Sequence, residues 1–310
     1  MTVIDAHHHV WDLAVRDQPW ISGAAMAAIR RSFSLDDLRP HAGAAGVGAT
    51  VLVQTVTVAA ETPEMLALAA GDPLVAGVVG WTDLTSPAIA AELARLAAGP
   101  GGGKLVGIRH QVQTEADPDW LRRPDVIRGL RAVEAAGLRY DLLVLPHQLP
   151  AAVYAAAAVP GLTFVLDHAG KPRIGGDLTG WTTAIRDLAA LPNTVCKLSG
   201  LVTEAPPGTG PAAFAEVADV VLSAFGADRV MFGSDWPVCL LARDYVWVLA
   251  LARSLTAGLS PAERAAVFGA TAARAYRLGP RSSGAAGTTK TTDGTGMTGT
   301  GTGSGAGSWH

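Results

Sequence analysis

The stretch Val3-Ile4-Asp5-Ala6-His7-His8-His9 runs from an apolar, β-branched start into three histidines. Seven further short runs share its apolar character: Thr50–Thr55, Val75–Trp81, Val106–Val112, Tyr140–Val144, Thr163–Asp167, Thr194–Leu198 and Arg229–Gly233. Near-continuous Val/Ile/Leu runs suit parallel strands buried on both faces. Ala/Leu-rich stretches separate them, with room for one helix or long crossover after most. Eight strands alternating with helices predict an α/β fold, a single closed (β/α)8 (TIM) barrel; doubly wound sheets usually have fewer strands.

Helix boundaries can be placed around this frame. Ser86-Pro87 and Ser260-Pro261 each set a hydroxyl N-cap before a proline at N1, and Glu263 at N3 completes a capping box at the second. Gly99 and Gly137 fall where glycines just past a helix end are expected. The stretch from Asp12 to Asp36, with Trp20 and Met26, exceeds an ordinary βα loop and is expected to fold over the barrel mouth. From Gly279 onward the chain is Gly, Thr, Ser and Ala, ending in Trp309 and His310. Too little apolar surface is available there to offset ordering entropy. The expected organisation is therefore a barrel over residues 1–278 and a disordered tail over 279–310.

The bulk properties exclude several function classes. With 49% hydrophobic and 16% charged residues, the 310-residue chain can bury a large core. A net charge of −3 without any basic cluster provides no field to concentrate nucleic acid or an anionic membrane. No apolar stretch approaches the length of a bilayer span. The amino terminus lacks the charged and apolar regions of a signal peptide. A soluble, cytoplasmic protein acting on a small molecule is expected. Two cysteines, Cys196 and Cys239, with no CxxC pair, exclude a disulfide framework. No GxSxG elbow, P-loop or strand–GxGxxG–helix fingerprint occurs, and Gly99–Gly103 reads as a turn.

Chemistry-bearing residues gather at the carboxyl ends of the predicted strands, where barrel enzymes place catalytic groups. In an extended chain His7 and His9 share one side and His8 takes the other. Such a pair is half of a metal site or a proton-transfer pair; the bland alternative is a polar turn. Strand four ends in Gly107-Ile108-Arg109-His110, and a buried arginine needs an anionic or carbonyl partner, from a substrate or across the barrel mouth. Strand six leads to His168 and, on a stiff loop, Lys171. Strand eight ends Gly233-Ser234-Asp235-Trp236-Pro237, presenting Asp235 as a base toward water and, once protonated, as an acid; otherwise it caps a helix. Gln54, Trp81, Asp83, Lys197 and Ser199 end other strands.

Asp5-Ala6-His7-His8-His9-Val10-Trp11-Asp12 resembles the Asp-x-His-x-His-x-Trp opening of the amidohydrolase-2 group of the amidohydrolase superfamily of metal-dependent hydrolases. His168-Ala169-Gly170-Lys171-Pro172, Gly233-Ser234-Asp235-Trp236-Pro237, Gly107-Ile108-Arg109-His110 and Lys197-Leu198-Ser199-Gly200 resemble its later motifs, in the same order. The branch most resembled holds sugar-acid lactonases of the L-fuconolactonase and L-rhamnonolactonase type. The resemblance implies hydrolysis of a small lactone, with Asp235 activating water beside His7, His9 and His168. Arg109 and Lys171 would polarise the carbonyl, with His110 and Gln54 nearby and Trp11, Trp81 and Trp236 as walls for a sugar ring. Strand four lacks the usual bridging lysine, and strand five, Tyr140-Asp141-Leu142-Leu143, lacks the usual histidine, which removes a two-metal site. One divalent cation, zinc, on His7, His9 and Asp235, with or without His168, and a metal-free site both stay open. The alternatives are a decarboxylase of the same group, which usually carries that histidine, and a non-catalytic small-molecule-binding barrel.

Overall fold

A computed structural model of the chain describes residues 2–279; the tail expected over 279–310 lies outside the described residues except for Gly279. Eight parallel strands follow one another around a sheet in chain order. They are β1 (Val3–His8), β2 (Val47–Val53), β3 (Val75–Gly80), β4 (Leu105–His110), β5 (Arg139–Leu142), β6 (Phe164–Leu166), β7 (Thr194–Leu198) and β8 (Val230–Phe232). Helices α1 (Leu35–Ala44), α2 (Glu61–Gly71), α3 (Ile89–Ala98), α4 (Pro124–Ala135), α5 (Leu149–Ala158), α6 (Thr179–Ala189), α7 (Pro211–Phe225) and α8 (Tyr245–Leu255) follow the strands in turn. Short helices α9 (Pro261–Ala265) and α10 (Thr271–Ala275) are the last helices among the described residues. No described helix is long and apolar enough to cross a membrane.

The sheet closes at the mouth end. His9 N donates to Trp236 O at 2.7 Å and Asp235 N to His7 O at 2.8 Å, so β1 and the segment after β8 share backbone bonds. Below that seam the Asp5 carboxylate accepts from Ser234 N at 2.8 Å, His7 N at 3.2 Å and Tyr245 Oη at 3.1 Å. A buried side chain thus substitutes for ladder acceptors where β1 and β8 separate.

The two faces of the strands carry different cores. Outside, α-helical side chains pack on Leu52, Val78, Ile108, Leu142 and Phe232. Inside, Ile4, Val51, Val79, Val165, Val195 and Met231 fill the lower barrel, and Ala272, Ala275 and Tyr276 close it from below. Arginine 139 ties that plug in place: Arg139 Nε donates to Ala275 O. The upper barrel is polar.

Two of the four expected caps hold and two are corrected. Ser260 and Glu263 form the expected capping box before α9. Ser86 does not cap α3: its Oγ accepts from Ala88 N at 3.1 Å, closing a turn, and the helix starts two residues later. Gly137 has the left-handed φ of 73° expected past α4, whereas Gly99 is extended (φ −76°, ψ 173°) and Gly101 takes the left-handed turn. The Asp12–Asp36 segment reaches over the mouth. Its short helix Ala24–Ile29 packs against the Val238–Leu241 turn that follows β8.

Candidate active site

A bulge in β1 aims the histidines. Asp5 pairs with Thr50 and His8 with Leu52, so three steps along β1 match two along β2. The extra residue shifts the alternation, and bulges commonly re-aim a side chain beside an active site. Ile4 therefore faces the interior cluster below, while His7 and His9 face inward above it. His8 points away, its Nε2 2.9 Å from Thr50 Oγ1. Opposite, Asp235 (φ 57°), His168 (φ 54°) and Lys171 (φ 54°) sit in the left-handed region. Non-glycine residues held there cost of order 1–3 kcal/mol and cluster at functional sites.

These groups converge. Asp235 Oδ1 lies 3.5 Å from His9 Nε2, 3.8 Å from His7 Nε2 and 3.9 Å from His168 Nε2. The Nε2 atoms of His7 and His9 are 3.1 Å apart. His9 Nδ1 lies 2.7 Å from Val53 O; a carbonyl only accepts, so Nδ1 carries a proton and His9 turns Nε2 to the centre. His168 Nδ1 meets Ser199 Oγ at 2.9 Å, which orients its ring. Burial would raise the Asp235 carboxyl, yet His168, His9 and Lys171 outweigh it and hold it below its ordinary range. Burial foremost pushes His168 down to about 4. Burial and then the Lys197 ammonium hold His7 well below its usual value. At neutral pH the site thus presents the Asp235 carboxylate beside the neutral imidazoles of His7 and His168.

The donor set fits one divalent cation. His7, His9 and Asp235 offer ligand atoms all within 4.8 Å of one another, and the Val53 contact on His9 is the kind of outer bond that orients a metal-ligating imidazole. His7, Asp167 and His168 form a second such group.

Sequence reasoning names Lys197 only as a strand end and leaves the pairing of the charges beneath unseen. Lys197, fully buried, lies 2.6 Å from Asp141 Oδ2, 2.8 Å from Asp167 Oδ1 and 3.0 Å from His7 Nδ1. Asp141 Oδ2 also accepts from Tyr276 Oη of the barrel plug at 2.7 Å. Asp167 is held on its other oxygen by Arg109 Nη1 at 2.9 Å. Burial pushes Asp141 up; against the same burial, Lys197, His7 and Arg109 hold Asp167 well below the carboxylate range. Two buried cations face three carboxylates when Asp235 is included, a net negative charge that favours a bound cation. An available signal was that an ionisable residue inside a strand buried on both faces needs a charged partner.

Several expected substrate contacts are corrected. Arg109 directs Nε and Nη2 to Gln54 (Nε to Oε1 at 3.0 Å; Nη2 to Oε1 and to the carbonyl) and one Nη1–H to Asp167. At most one N–H is left for anything else, so Arg109 and the fully buried Gln54 make the floor, and the salt bridge across the mouth is present. Trp11 and Trp236 belong to the packing layer. Both are at least 95% buried, packed edge-on against Phe33 of the long first loop. His110 stacks on Trp120 at 4.4 Å and bridges Trp81 Nε1 to Glu115, apart from the His/Asp cluster. Trp81 remains half-buried. Lys171 pairs with Glu204 at 2.5 Å beside the cluster.

Gly200, at φ 64°, permits the His168 position: a Cβ there would lie 2.5 Å from His168 Nδ1. Gly200→Ala is therefore expected to displace the ring from Ser199 and lower kcat roughly 10²-fold, the cost of about 1 Å of misplacement. Steady-state kinetics beside a thermal melt checks this, since a collapse of the melting temperature would mean a folding defect instead.

The family model described as Amidohydrolase matches residues 4–278. An L-fucono-1,5-lactonase from Burkholderia multivorans is 43% identical over 288 residues, covering 89% of this chain and 96% of that protein. One from Burkholderia ambifaria is 41% identical over 280 residues, covering 89% and 95%. The crystal structure of an amidohydrolase from Burkholderia multivorans with bound Zn superposes with a TM-score of 0.84 at 42% identity, covering 90% of this chain and all of that one.

Proposed function

The chain belongs to the amidohydrolase family, and on that premise we propose that it is a sugar lactonase, a hydrolase opening an aldonolactone of the L-fucono-1,5-lactone class. The observation that carries this reading is the convergence of Asp235, His7, His9 and His168 at the mouth, in a chain 41–43% identical to L-fucono-1,5-lactonases along nearly its whole barrel.

Asp235 is ionised and within one water of three imidazoles, so it accepts the proton of a water attacking the lactone carbonyl. The same proton then passes to the ring oxygen as the C–O bond breaks, leaving a hydroxy acid. Asp235 is poised for both transfers because its carboxylate makes no fixed hydrogen bond to the backbone. His168 and the Lys171–Glu204 pair flank the reacting carbonyl, and Lys171 supplies positive charge toward the developing oxyanion. Arg109 acts indirectly, fixing Asp167 and Gln54 under His7. A zinc ion, where one is bound by His7, His9 and Asp235 with His168 adjacent, would polarise the carbonyl as a Lewis acid. The decarboxylase alternative is disfavoured because strand five, Tyr140-Asp141-Leu142-Leu143, carries no histidine, and its Asp141 is committed to Lys197 and Tyr276.

A panel of sugar 1,4- and 1,5-lactones, followed with a pH indicator, tests the reading. Acid release from at least one deoxy- or aldono-1,5-lactone well above the spontaneous rate is expected. Inertness toward the whole panel, alongside carbon dioxide release from aromatic acids, would replace it with the decarboxylase.

A further inference from the structure

An ion pair joins the loops that follow β6 and β7. Lys171 N donates to His168 O at 2.9 Å, so the lysine belongs to the same tight turn as that ring. On the facing loop, Thr203 Oγ1 donates to Gly200 O at 2.8 Å and Glu204 N to Leu201 O at 3.2 Å. Glu204 is therefore carried on a single turn that starts at the glycine packed against His168. Lys171 Nζ donates to Glu204 Oε1 at 2.5 Å, and the two side chains are 18% and 21% exposed. The pair is thus held by its backbone on both sides, yet stays open to a ligand. Glu204 also lines a cavity of about 360 Å³ between residues 173–176 and 203–206, with the exposed Arg173 across it.

Lactone hydrolysis changes the charge of what the site holds. The ring is neutral, whereas the hydroxy acid it gives carries a carboxylate at neutral pH. An unpaired ammonium beside the reacting carbonyl would retain that carboxylate through a charge-assisted hydrogen bond. Lys171 has three N–H groups; Glu204 takes one, and two remain for a carbonyl oxygen. We propose that Glu204 is a specificity-determining residue: it cancels the charge of Lys171, so that the site holds the neutral lactone and releases the anionic hydroxy acid. With Lys171 and Glu204 summing to zero, the Asp235 carboxylate, 3.9 Å from His168, is the charge that the departing acid meets, and it repels. The inference rests on the lactonase reading and extends it from the chemical step to product release. A pair that only stapled the two loops would act differently, because loosening a staple weakens neutral and charged ligands alike.

The test compares two open-chain probes that differ only in charge, L-fuconate and its neutral amide, L-fuconamide, titrated calorimetrically at low salt into the full chain. Wild type should bind the acid no more tightly than the amide. Glu204→Gln keeps the shape of the side chain and frees the ammonium, and loss of a partly exposed pair leaves the fold standing. In that variant the Kd of the acid should fall at least roughly tenfold relative to that of the amide. The double variant Lys171→Met with Glu204→Gln has no ammonium to free, so the gain should vanish there. A ratio of acid to amide affinity that Glu204→Gln leaves unchanged, including binding of neither probe, overturns the proposal. So does a gain that persists in the double variant, because the anion would then be held by something other than Lys171. Lactone turnover by the wild type decides the lactonase reading separately: turnover with an unchanged ratio sinks only the role of Glu204, and an altered ratio without turnover sinks only the reading.

Discussion

Asp235→Asn is expected to lower kcat for lactone hydrolysis by about 10²–10⁴-fold, the usual worth of a positioned acid–base group, while the protein melts close to the wild-type temperature. The choice of asparagine matters because Asp235 sits at φ 57°, a conformation that asparagine, like aspartate, tolerates far better than most residues. Alanine at this position would add a backbone penalty of about 1–2 kcal/mol and confuse a chemical loss with a structural one. The bonds that hold the segment are backbone bonds, Asp235 N to His7 O and Cys239 N to Asp235 O, both at 2.8 Å, and the amide leaves them intact. What the substitution removes is the site's ionised oxygen. Since Asp235 is held below the usual carboxylate range by its imidazole and Lys171 surroundings, the wild-type enzyme should keep its base ionised throughout the neutral region. KM should change less than kcat, because the carboxylate acts on water and the leaving oxygen more than on substrate hydroxyls. Near-wild-type turnover by Asp235→Asn would transfer water activation to the histidines and undo the proposed roles.

The barrel was legible for a physical reason. Parallel strands covered on both faces must be apolar almost throughout, so Val75–Trp81 or Thr194–Leu198 stand out whatever their neighbours are. The polar strand ends were legible for the same reason: His7, His9, Arg109, His168 and Asp235 break runs that are otherwise mostly apolar. What stayed hidden depends on partners. The bulge between Asp5 and His8 exists only in relation to β2, and simple alternation placed His7 and His9 on a common side without showing that Ile4 shares it. Trp11 and Trp236 could face the mouth or the packing layer, and Phe33, brought in by a long loop, draws both into the layer. Asp141, Asp167 and Lys197 were each visible in a strand, but their mutual pairing, and the reach of Tyr276 up from the plug, required the closed barrel. Arg109 shows the limit most directly, because a salt bridge and a substrate contact are equally consistent with a strand-end arginine until its acceptors are counted.

The largest stability effect should come from Lys197, not from a residue of the apolar core. Lys197→Met keeps the length and apolar stem of the side chain and deletes only the ammonium. Asp167 still has Arg109, but Asp141 would keep a single donor, Tyr276 Oη, in a place with no access to water. A carboxylate in that position must either stay charged without its cation or take up a proton, and both cost free energy that the unfolded chain does not bear. Breaking one partner out of a buried pair typically destabilises by about 3–5 kcal/mol, which for a domain of this size means a Tm lower by on the order of 10 °C. Adding Asp141→Asn should recover much of the loss, because the amide is neutral and still accepts from Tyr276. The signature is thus non-additivity: Lys197→Met and Asp141→Asn each destabilise, and together they cost less than the sum of the two. Thermal and denaturant unfolding of the wild type, both single variants and the double variant measure this coupling directly. Strictly additive losses would mean that Lys197 and Asp141 do not act as a pair, and that the polar column beneath the active site is held by Arg109 and Tyr276 alone.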